Sequence, residues 1–349
     1  MISGKTISWV IVLYSIKLTL FIINILLFIS CSNNNKQKYE LIKTKEIKLN
    51  FPQGEMIGRI FDMLEHDEKF YLVDYKAHKI WITDLNGCLL KSIGKYGRGP
   101  GDLNGPVSIV LKADSLLVLE KENSRISIFN LCGDYISQFP VTSGSLTSME
   151  IDRDGKMIII GESLGLWNYQ FYSLNGRPIN NSPKSERTQI LMPTSIPGGQ
   201  ISLSSDNNIL FSNIRNYNIV MINWNGDTLK SFTANPQNYI APNLNNRIRL
   251  MNQKYWSLII LPLQIDNLIL IQRFNYFLNP KNKPNNDNDK FYYDLFSLDG
   301  KLIAEGLRCE SSYFLYQKDN FLYSIDYAPI ELGNENPNIV IYRLEKLLK

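Results

Sequence analysis

The side chains best placed to do chemistry recur at one kind of position. Asp74, Glu120, Glu162 beside Gly161, Asn213, Gln272 and Asp326 each close a short apolar run. Carboxylates and amides gathered at one locus could orient a sugar, hold a cation or trade protons. The plainer account is that each satisfies backbone amides in the turn that follows, as Asp and Asn readily do. Histidine is scarce: His66 and His78 are the two in 349 residues, which largely excludes a histidine-rich metal or acid/base centre. Residues 152–156, D-R-D-G-K, open like a calcium loop but lack its later acidic ligands. Residues 161–165, G-E-S-L-G, spell G-x-S-x-G, yet a nucleophile elbow needs the strand-to-helix turn of an α/β sheet. The glycine-rich residues 97–101 are no phosphate cradle, because Pro100 removes an amide and no Lys-Ser/Thr opens a helix afterwards. No catalytic residue, metal ligand or cofactor is assigned.

The elements that must position these residues are short strands in a repeat. Residues 80–90, I-W-I-T-D-L-N-G-C-L-L, read as two strands joined at Asn86-Gly87, with cognate copies at 126–136, 171–179, 219–229 and 293–303. Asn-Gly between apolar runs predicts a hairpin with a type I′ turn, whose two central residues both take positive φ. The hairpin glycines Gly87, Gly133, Gly176, Gly226 and Gly300 are spaced by 46, 43, 50 and 74 residues. A period of 40 to 50 residues with about four strands, here called a to d, predicts the blades of a β-propeller. The 74-residue step holds one enlarged blade, since strand-like runs occur in it only at 255–261, 268–274 and 291–298. The last unit lacks a fourth strand, whereas residues 43–50 form an orphan strand ahead of the first blade. Six blades therefore close if that segment becomes strand d of the last one, removing an exposed sheet edge. Runs such as I-V-M-I and L-I-L-I are apolar throughout, as expected of sheets buried on both faces.

Residues 95–103, K-Y-G-R-G-P-G-D-L, follow the first hairpin and precede P-V-S-I. This resembles the G-x-G-x-G-P-G-E/D signature of six-bladed, TolB-like or NHL-like propeller lipoproteins common in Bacteroidetes, over roughly residue 43 to the C-terminus. The resemblance implies an all-β, six-bladed propeller at the cell surface or in the periplasm; it implies little about activity.

Residues 1–30 carry Lys5 and Lys17 and then a mostly apolar run at 18–29. Twelve helical residues reach about 18 Å, too short for a hydrocarbon core of roughly 30 Å, so a signal peptide fits better. L-F-I-S-C at 27–31 resembles a lipobox, which makes Cys31 the expected lipidation site and residues 31–42 a lipidated tether ahead of a propeller at 43–349. Cys88, Cys132 and Cys309 form an odd set and imply no disulfide framework. A net charge of +4 with dispersed Lys and Arg gives no support for nucleic-acid binding.

In a blade of alternating strands the d-to-a and b-to-c connections share one face. The long segments 180–198, 234–253 and 275–290 and the glycine loop at 94–102 all belong to it, and long loops in a compact domain are commonly functional. That face is the expected binding side. Its candidate ligand-binding residues are Asp74, Tyr75, His78, Arg98, Asp102, Glu120, Arg125, Glu162, Trp167, Asn213, Arg215, Tyr217, Arg273, Asp326 and Tyr327, with Tyr276 beside them. Aromatics mixed with Arg suit stacking on sugars or gripping an acidic peptide. The expected function is a lipid-anchored module that binds an envelope protein, peptide or glycan. The alternatives are a propeller lyase or hydrolase using acidic funnel residues or His78, and a structural subunit of an envelope complex.

Overall fold

In the chain's repeated hairpin a polar residue stands three positions before glycine, and this spacing builds the same turn five times. At the first, the Gly87 amide donates to the Asp84 carbonyl at 3.1 Å and the Asp84 amide to the Cys88 carbonyl at 3.0 Å. The Asp84 carboxylate accepts the Asn86 and Cys88 amides at 2.9 and 2.8 Å. Equivalent backbone pairs join Asn130 to Gly133 and Asp134, Ser173 to Gly176 and Arg177, Asn223 to Gly226 and Asp227, and Ser297 to Gly300 and Lys301. Only the glycines take positive φ, from 77° to 87° across the five, and Asn86 does not. The expected type I′ turn is thus corrected to a three-residue loop with a glycine bulge, since Asp84 caps the turn with its side chain.

The computed structural model describes residues 39–141, 145–163, 166–179, 201–213, 217–237, 239–241, 256–276, 291–310, 313–331 and 336–347. They belong to one unit, Tyr39–Lys349. After β1 (Tyr39–Lys48), blade one is β2 (Ile60–His66), β3 (Lys69–Asp74), β4 (Lys79–Asp84) and β5 (Leu89–Ile93). Blade two is β6 (Pro106–Lys112), β7 (Ser115–Glu120), β8 (Arg125–Asn130) and β9 (Tyr135–Pro140); blade three is β10 (Ser145–Ile151), β11 (Met157–Ser163), β12 (Leu166–Tyr172) and β13 (Pro178–Ile179). Blade four is β14 (Ile201–Leu203), β15 (Ile209–Asn213), β16 (Asn218–Ile222) and β17 (Thr228–Thr233). The enlarged blade five is β18 (Trp256–Ile265), β19 (Leu268–Tyr276), β20 (Phe291–Ser297) and β21 (Leu302–Leu307). Blade six is β22 (Phe314–Lys318), β23 (Phe321–Asp326) and β24 (Asn338–Lys346), with the one-turn α1 (Ala328–Glu331) between the last two. Each blade is a four-stranded antiparallel sheet, and β1 pairs with β24 to complete the sixth. The chain is therefore an all-β, six-bladed β-propeller closed by its N-terminal strand. That strand begins at Tyr39 and ends at Lys48, a few residues before the span 43–50 read from the sequence.

Apolar content follows strand position within the blade. The second strands β3 and β7 are buried at every residue but their first, whereas the outermost β9 and β17 have no fully buried residue. Neighbouring blades share their cores: Trp81, Phe70 and Ile60 of blade one pack with Ile325 and Ile339 of blade six and Ile47 of β1.

The turn glycines lock each blade onto the one before it. A Cβ on Gly133 would lie 2.8 Å from Ile93 of β5, one on Gly176 2.5 Å from Phe139 of β9, and one on Gly300 2.7 Å from Phe232 of β17. At ring closure the same contact falls on β1, where a Cβ on Gly87 would stand 2.3 Å from the Lys48 carbonyl. The Asn50 amide donates to the Gly87 carbonyl at 2.9 Å and the Leu89 amide to the Asn50 carbonyl at 3.2 Å. Three variants test that geometry. Gly87→Ala combines left-handed strain with a backbone clash and is expected to cost about 2–4 kcal/mol in urea unfolding. Gly54→Ala, at φ 91° with open space around it, is expected to cost only about 1–2 kcal/mol. Deleting residues 39–48 is expected to abolish the single cooperative unfolding transition, because β24 and the blade-one turn both lose their partner.

Candidate functional site

The loop face is built on two buried ion pairs. Arg125 opens β8 and is 7% exposed; its Nε lies 2.6 Å from Glu120 Oε1 at the end of β7. The guanidinium also donates to the carbonyls of Arg98, Asp102 and Gly99 at 2.9, 2.7 and 3.3 Å. Glu120 accepts in addition the Asn104 amide at 2.8 Å, the Asn123 side-chain amide at 2.6 Å and the Ser127 hydroxyl. The Asp102 carboxylate accepts the Gly99 amide at 3.0 Å, and a Cβ on Gly97 would come within 2.3 Å of that carboxylate. The K-Y-G-R-G-P-G-D segment is thus a loop whose carbonyls grip an arginine and whose glycines make room for Asp102. In blade five, Arg273 Nε lies 2.6 Å from Asp294, both fully buried, and Asp294 also accepts the Tyr217 hydroxyl at 2.6 Å and the Gly306 amide at 2.8 Å. Burial, and then the adjacent Asp294 charge, push the Tyr217 phenol well above its ordinary range.

Asp74, Gln272 and Asp326 are spent in the same way. Asp74 is fully buried and accepts the amides of Gly58, Arg59, Lys76 and Ala77 and the indole N–H of Trp81, all within 3.0 Å. Gln272 pairs its amide with the backbone of Phe314, accepting at 2.7 Å and donating at 3.1 Å, and so ties blade five to blade six. The Tyr327 hydroxyl accepts the Ile60 amide at 2.7 Å across the closure, and Asp326 caps α1 through the Ala328 amide at 3.0 Å. Burial raises the Tyr327 phenol. Glu162 and Trp167 face each other as backbone partners in β11 and β12, as Asn213 and Asn218 do in β15 and β16 and Tyr276 and Trp256 do in β19 and β18. Arg215 lies outside the described residues, as do residues 180–200, 242–255 and 277–290, which make up most of the long connections expected on this face.

Among the described residues of this face, an aromatic tract across blades one and two stays open to solvent. The ring of Tyr96, 70% exposed, stands 4.8 Å from that of His78, whose Nδ1 accepts the Gly105 amide at 2.9 Å. His78 takes φ 57°, a strained conformation outside glycine, Asn and Asp. Tyr75 packs on Phe61 at 4.9 Å and donates its hydroxyl to Glu122 at 2.8 Å, while Arg59 lies over Phe61 at 5.6 Å. Glu122 leads into a recess of about 440 Å³ walled by Arg98, Asn123, Arg125, Gln138, Phe139 and Pro140. Tyr75, His78, Arg98 and Arg125 are thus brought to one place, whereas Tyr217 and Arg273 belong to blades four and five. His78 and Asp74 both serve backbone amides, so the acid/base pair that a funnel enzyme would use is not assembled from them. Among the described residues no cluster of three or more His, Cys, Asp or Glu could hold a metal ion, and Cys88, Cys132 and Cys309 are unbridged.

The sequence reading passed over a second site, on the ring axis. A cavity of about 380 Å³ is lined by the first strands of all six blades. In five of the six the register slips by a bulge near the strand's start, between Ile60 and Asp62, Pro106 and Ser108, Leu146 and Ser148, Ile259 and Pro262, and Phe314 and Tyr316. Bulges re-aim side chains, and the extra residues Val107, Thr147, Leu261 and Leu315 line the cavity. Three carboxylates stand among these walls: Glu65, paired with Lys318 at 2.8 Å, and the unpaired Asp62 and Glu150. Asp62 accepts the Ser108 hydroxyl at 2.8 Å and the Ile109 and Met63 amides at 2.9 and 2.8 Å, yet loss of solvent lifts its carboxyl to about 7. Glu150 is lifted to about 8 by the same desolvation and then by the neighbouring Asp62 charge. The signal in the sequence was a lone acid inside an apolar first strand, F-D-M-L at 61–64 and S-M-E-I at 148–151.

Two measurements test these assignments. Arg125→Ala leaves Glu120 buried without its counter-charge, which is expected to cost about 3–5 kcal/mol and to raise amide exchange across residues 97–103. Asp62 and Glu150 hold their protons in the folded state to about pH 7 and 8, well above their ordinary 3.8 and 4.5. The folded state therefore binds more protons than the unfolded one in that window, and stability is expected to fall as pH rises from 5 to 8. Glu150→Gln is expected to flatten that fall in urea midpoints; an unchanged slope would refute the assignment.

No family model and no curated protein matches the chain. Solved structures share its fold at low identity. A Bacteroides fragilis protein assigned as exported aligns at TM-score 0.63 and 11% identity, over 91% of this chain and 98% of its own. A DUF4221-family member from Bacteroides vulgatus aligns at 0.66 and 15%, over 90% of this chain and 100% of its own. Streptogramin B lyase aligns more loosely, at 0.47 and 15% over 88% and 98%, and lends no argument about chemistry. The chain is similar to these proteins in fold.

Proposed function

We propose that the protein is a lipid-anchored, extracytoplasmic recognition module of the TolB-like or NHL-like kind, binding a glycan or peptide of the cell envelope on its loop face. One observation carries this reading. On that face Asp74, Glu120, Gln272 and Asp326 are consumed in holding backbone and loops, while Tyr96, His78, Tyr75 and Arg98 form a tract over a floor fixed by the Arg125–Glu120 pair. A stiff floor with exposed rings lowers the entropy lost on binding and offers flat faces for stacking. Arg98, beside the recess, adds a planar donor for carboxylate or hydroxyl groups. The address rests on the apolar run at 18–29 and on L-F-I-S-C at 27–31; the Bacteroides fold relatives are compatible with it.

Tyr96→Ala combined with Arg98→Ala is expected to lower retention on a glycan array or on envelope-derived peptides at least tenfold, with an unchanged melting transition. Equal retention by the double variant would overturn the site. Cys31→Ala is expected to move the protein from the membrane to the soluble fraction, and persistent membrane association would overturn the lipid anchor.

A further inference from the structure

We infer that the axial cavity is a separate binding site for a small alkylammonium group, its charged nitrogen held between Asp62 and Glu150 and its aliphatic stem against the apolar rims of the first strands. The two carboxylates come from blades one and three and face the same lumen. Glu150 is half-buried, lines the cavity and accepts no hydrogen bond among the described residues. An enclosed carboxylate without a donor is costly, and an ammonium supplies the missing donors together with the opposite charge. Asp62 is held by Ser108 and two backbone amides, which fixes the direction of its carboxylate.

The walls decide between kinds of cation. A divalent ion needs six or more oxygens; the lining gives the carboxylates of Asp62 and Glu150, that of Glu65 already paired with Lys318, and scattered hydroxyls, and among the described residues no three acids gather as metal ligands. Val107, Ile151, Leu203, Leu261, Leu263 and Leu315 make much of the remaining surface, which matches a hydrocarbon stem. The cavity's volume of about 380 Å³ is at the small end of ligand sites.

The other charged groups near the lumen leave it net acidic. Glu65 on the same strand as Asp62 is neutralised by Lys318 at 2.8 Å and bonded by the Tyr323 hydroxyl at 2.9 Å. Lys112 at the end of β6 donates to the carbonyls of Asp152 and Arg153 instead. Tyr316 of β22 is neutral, burial pushing its phenol up, and the lining residues of β14 and β18 carry no charge. An ammonium entering this space favours the ionised carboxylates, so the protons held in the empty cavity must leave as it binds.

Calorimetric titration of the propeller, residues 39–349, at pH 7 in two buffers of different ionisation enthalpy tests this. The probes are 1,5-diaminopentane as a free amine, an acetylated and amidated lysine as a side-chain mimic, 1-pentanol as the neutral isostere, and calcium chloride. Saturable binding of one or both amines with release of about one proton, at least tenfold weaker in Glu150→Gln, supports the site; which amine binds tells a free ligand from a partner's lysine. Glu150→Gln removes a poorly solvated charge and is expected to fold, with Glu150→Met as a second variant. No saturable amine binding, equal binding of 1-pentanol, preference for calcium, or an unchanged affinity in both Glu150 variants would each overturn it.

Discussion

Everything in this molecule depends on a contact between residues far apart in sequence, the pairing of β1 with β24. A propeller is a closed sequence of packed sheets, and blades one, two, three and five here meet a neighbour through the same glycine turn. For blades two, three and five that neighbour is the blade just before in the chain. Blade one alone must wait for β1, which belongs to blade six and brings Lys48 and Asn50 to the Gly87 turn. The joint is therefore a sheet pairing and a blade-to-blade packing contact at once, and Tyr327 reinforces it on the opposite side through the Ile60 amide. Closure of this kind covers the edge that β24 would otherwise expose, and it makes the ring cooperative rather than a stack of independent units.

The same economy governs the polar residues. A buried charge is tolerable when paired and hydrogen-bonded, and Arg125 with Glu120 shows what such a pair achieves here: three carbonyls of an otherwise featureless loop are fixed against the blade. Arg273 with Asp294 holds β21 through Gly306 and blade four through Tyr217. These residues look like a site when read as letters because functional sites and structural latches use the same chemistry. Burial and the count of satisfied lone pairs separate them. Asp74, with five donors and no exposure, is a latch; Tyr96, with a free face on the surface, is not.

The architecture was legible from the sequence because it is local and repeated. Glycine spacing, apolar runs and an unpaired strand at each end were enough for six blades and for closure. The turn type was not legible, because Asn-Gly alone cannot show that Asp84 caps the loop and leaves Asn86 with ordinary φ. The candidate site was legible only as a face. His78, Tyr75 and Arg98 do meet there, but through contacts between blades one and two that no spacing encodes. Asp62 and Glu150 were missed for a related reason: each is one letter in an apolar strand, and their meeting requires knowing that the first strands of blades one and three face a common axis.

That axis shows how the fold generates a site without a dedicated loop. Apolar first strands could close a ring around a dry centre. The bulges of four blades turn an extra residue, Val107, Thr147, Leu261 or Leu315, toward the lumen, which leaves a cavity instead of a packed plug. Once such a lumen exists, a single acid in a first strand is enclosed by six sheets rather than by water, and its charge is governed by the ring. Two such acids on one lumen have their carboxyls lifted to about 7 and 8, chiefly by desolvation. Neither blade would do this alone, so the electrostatics of the axis are a property of closure, and they depend on β1 as much as the sheets do.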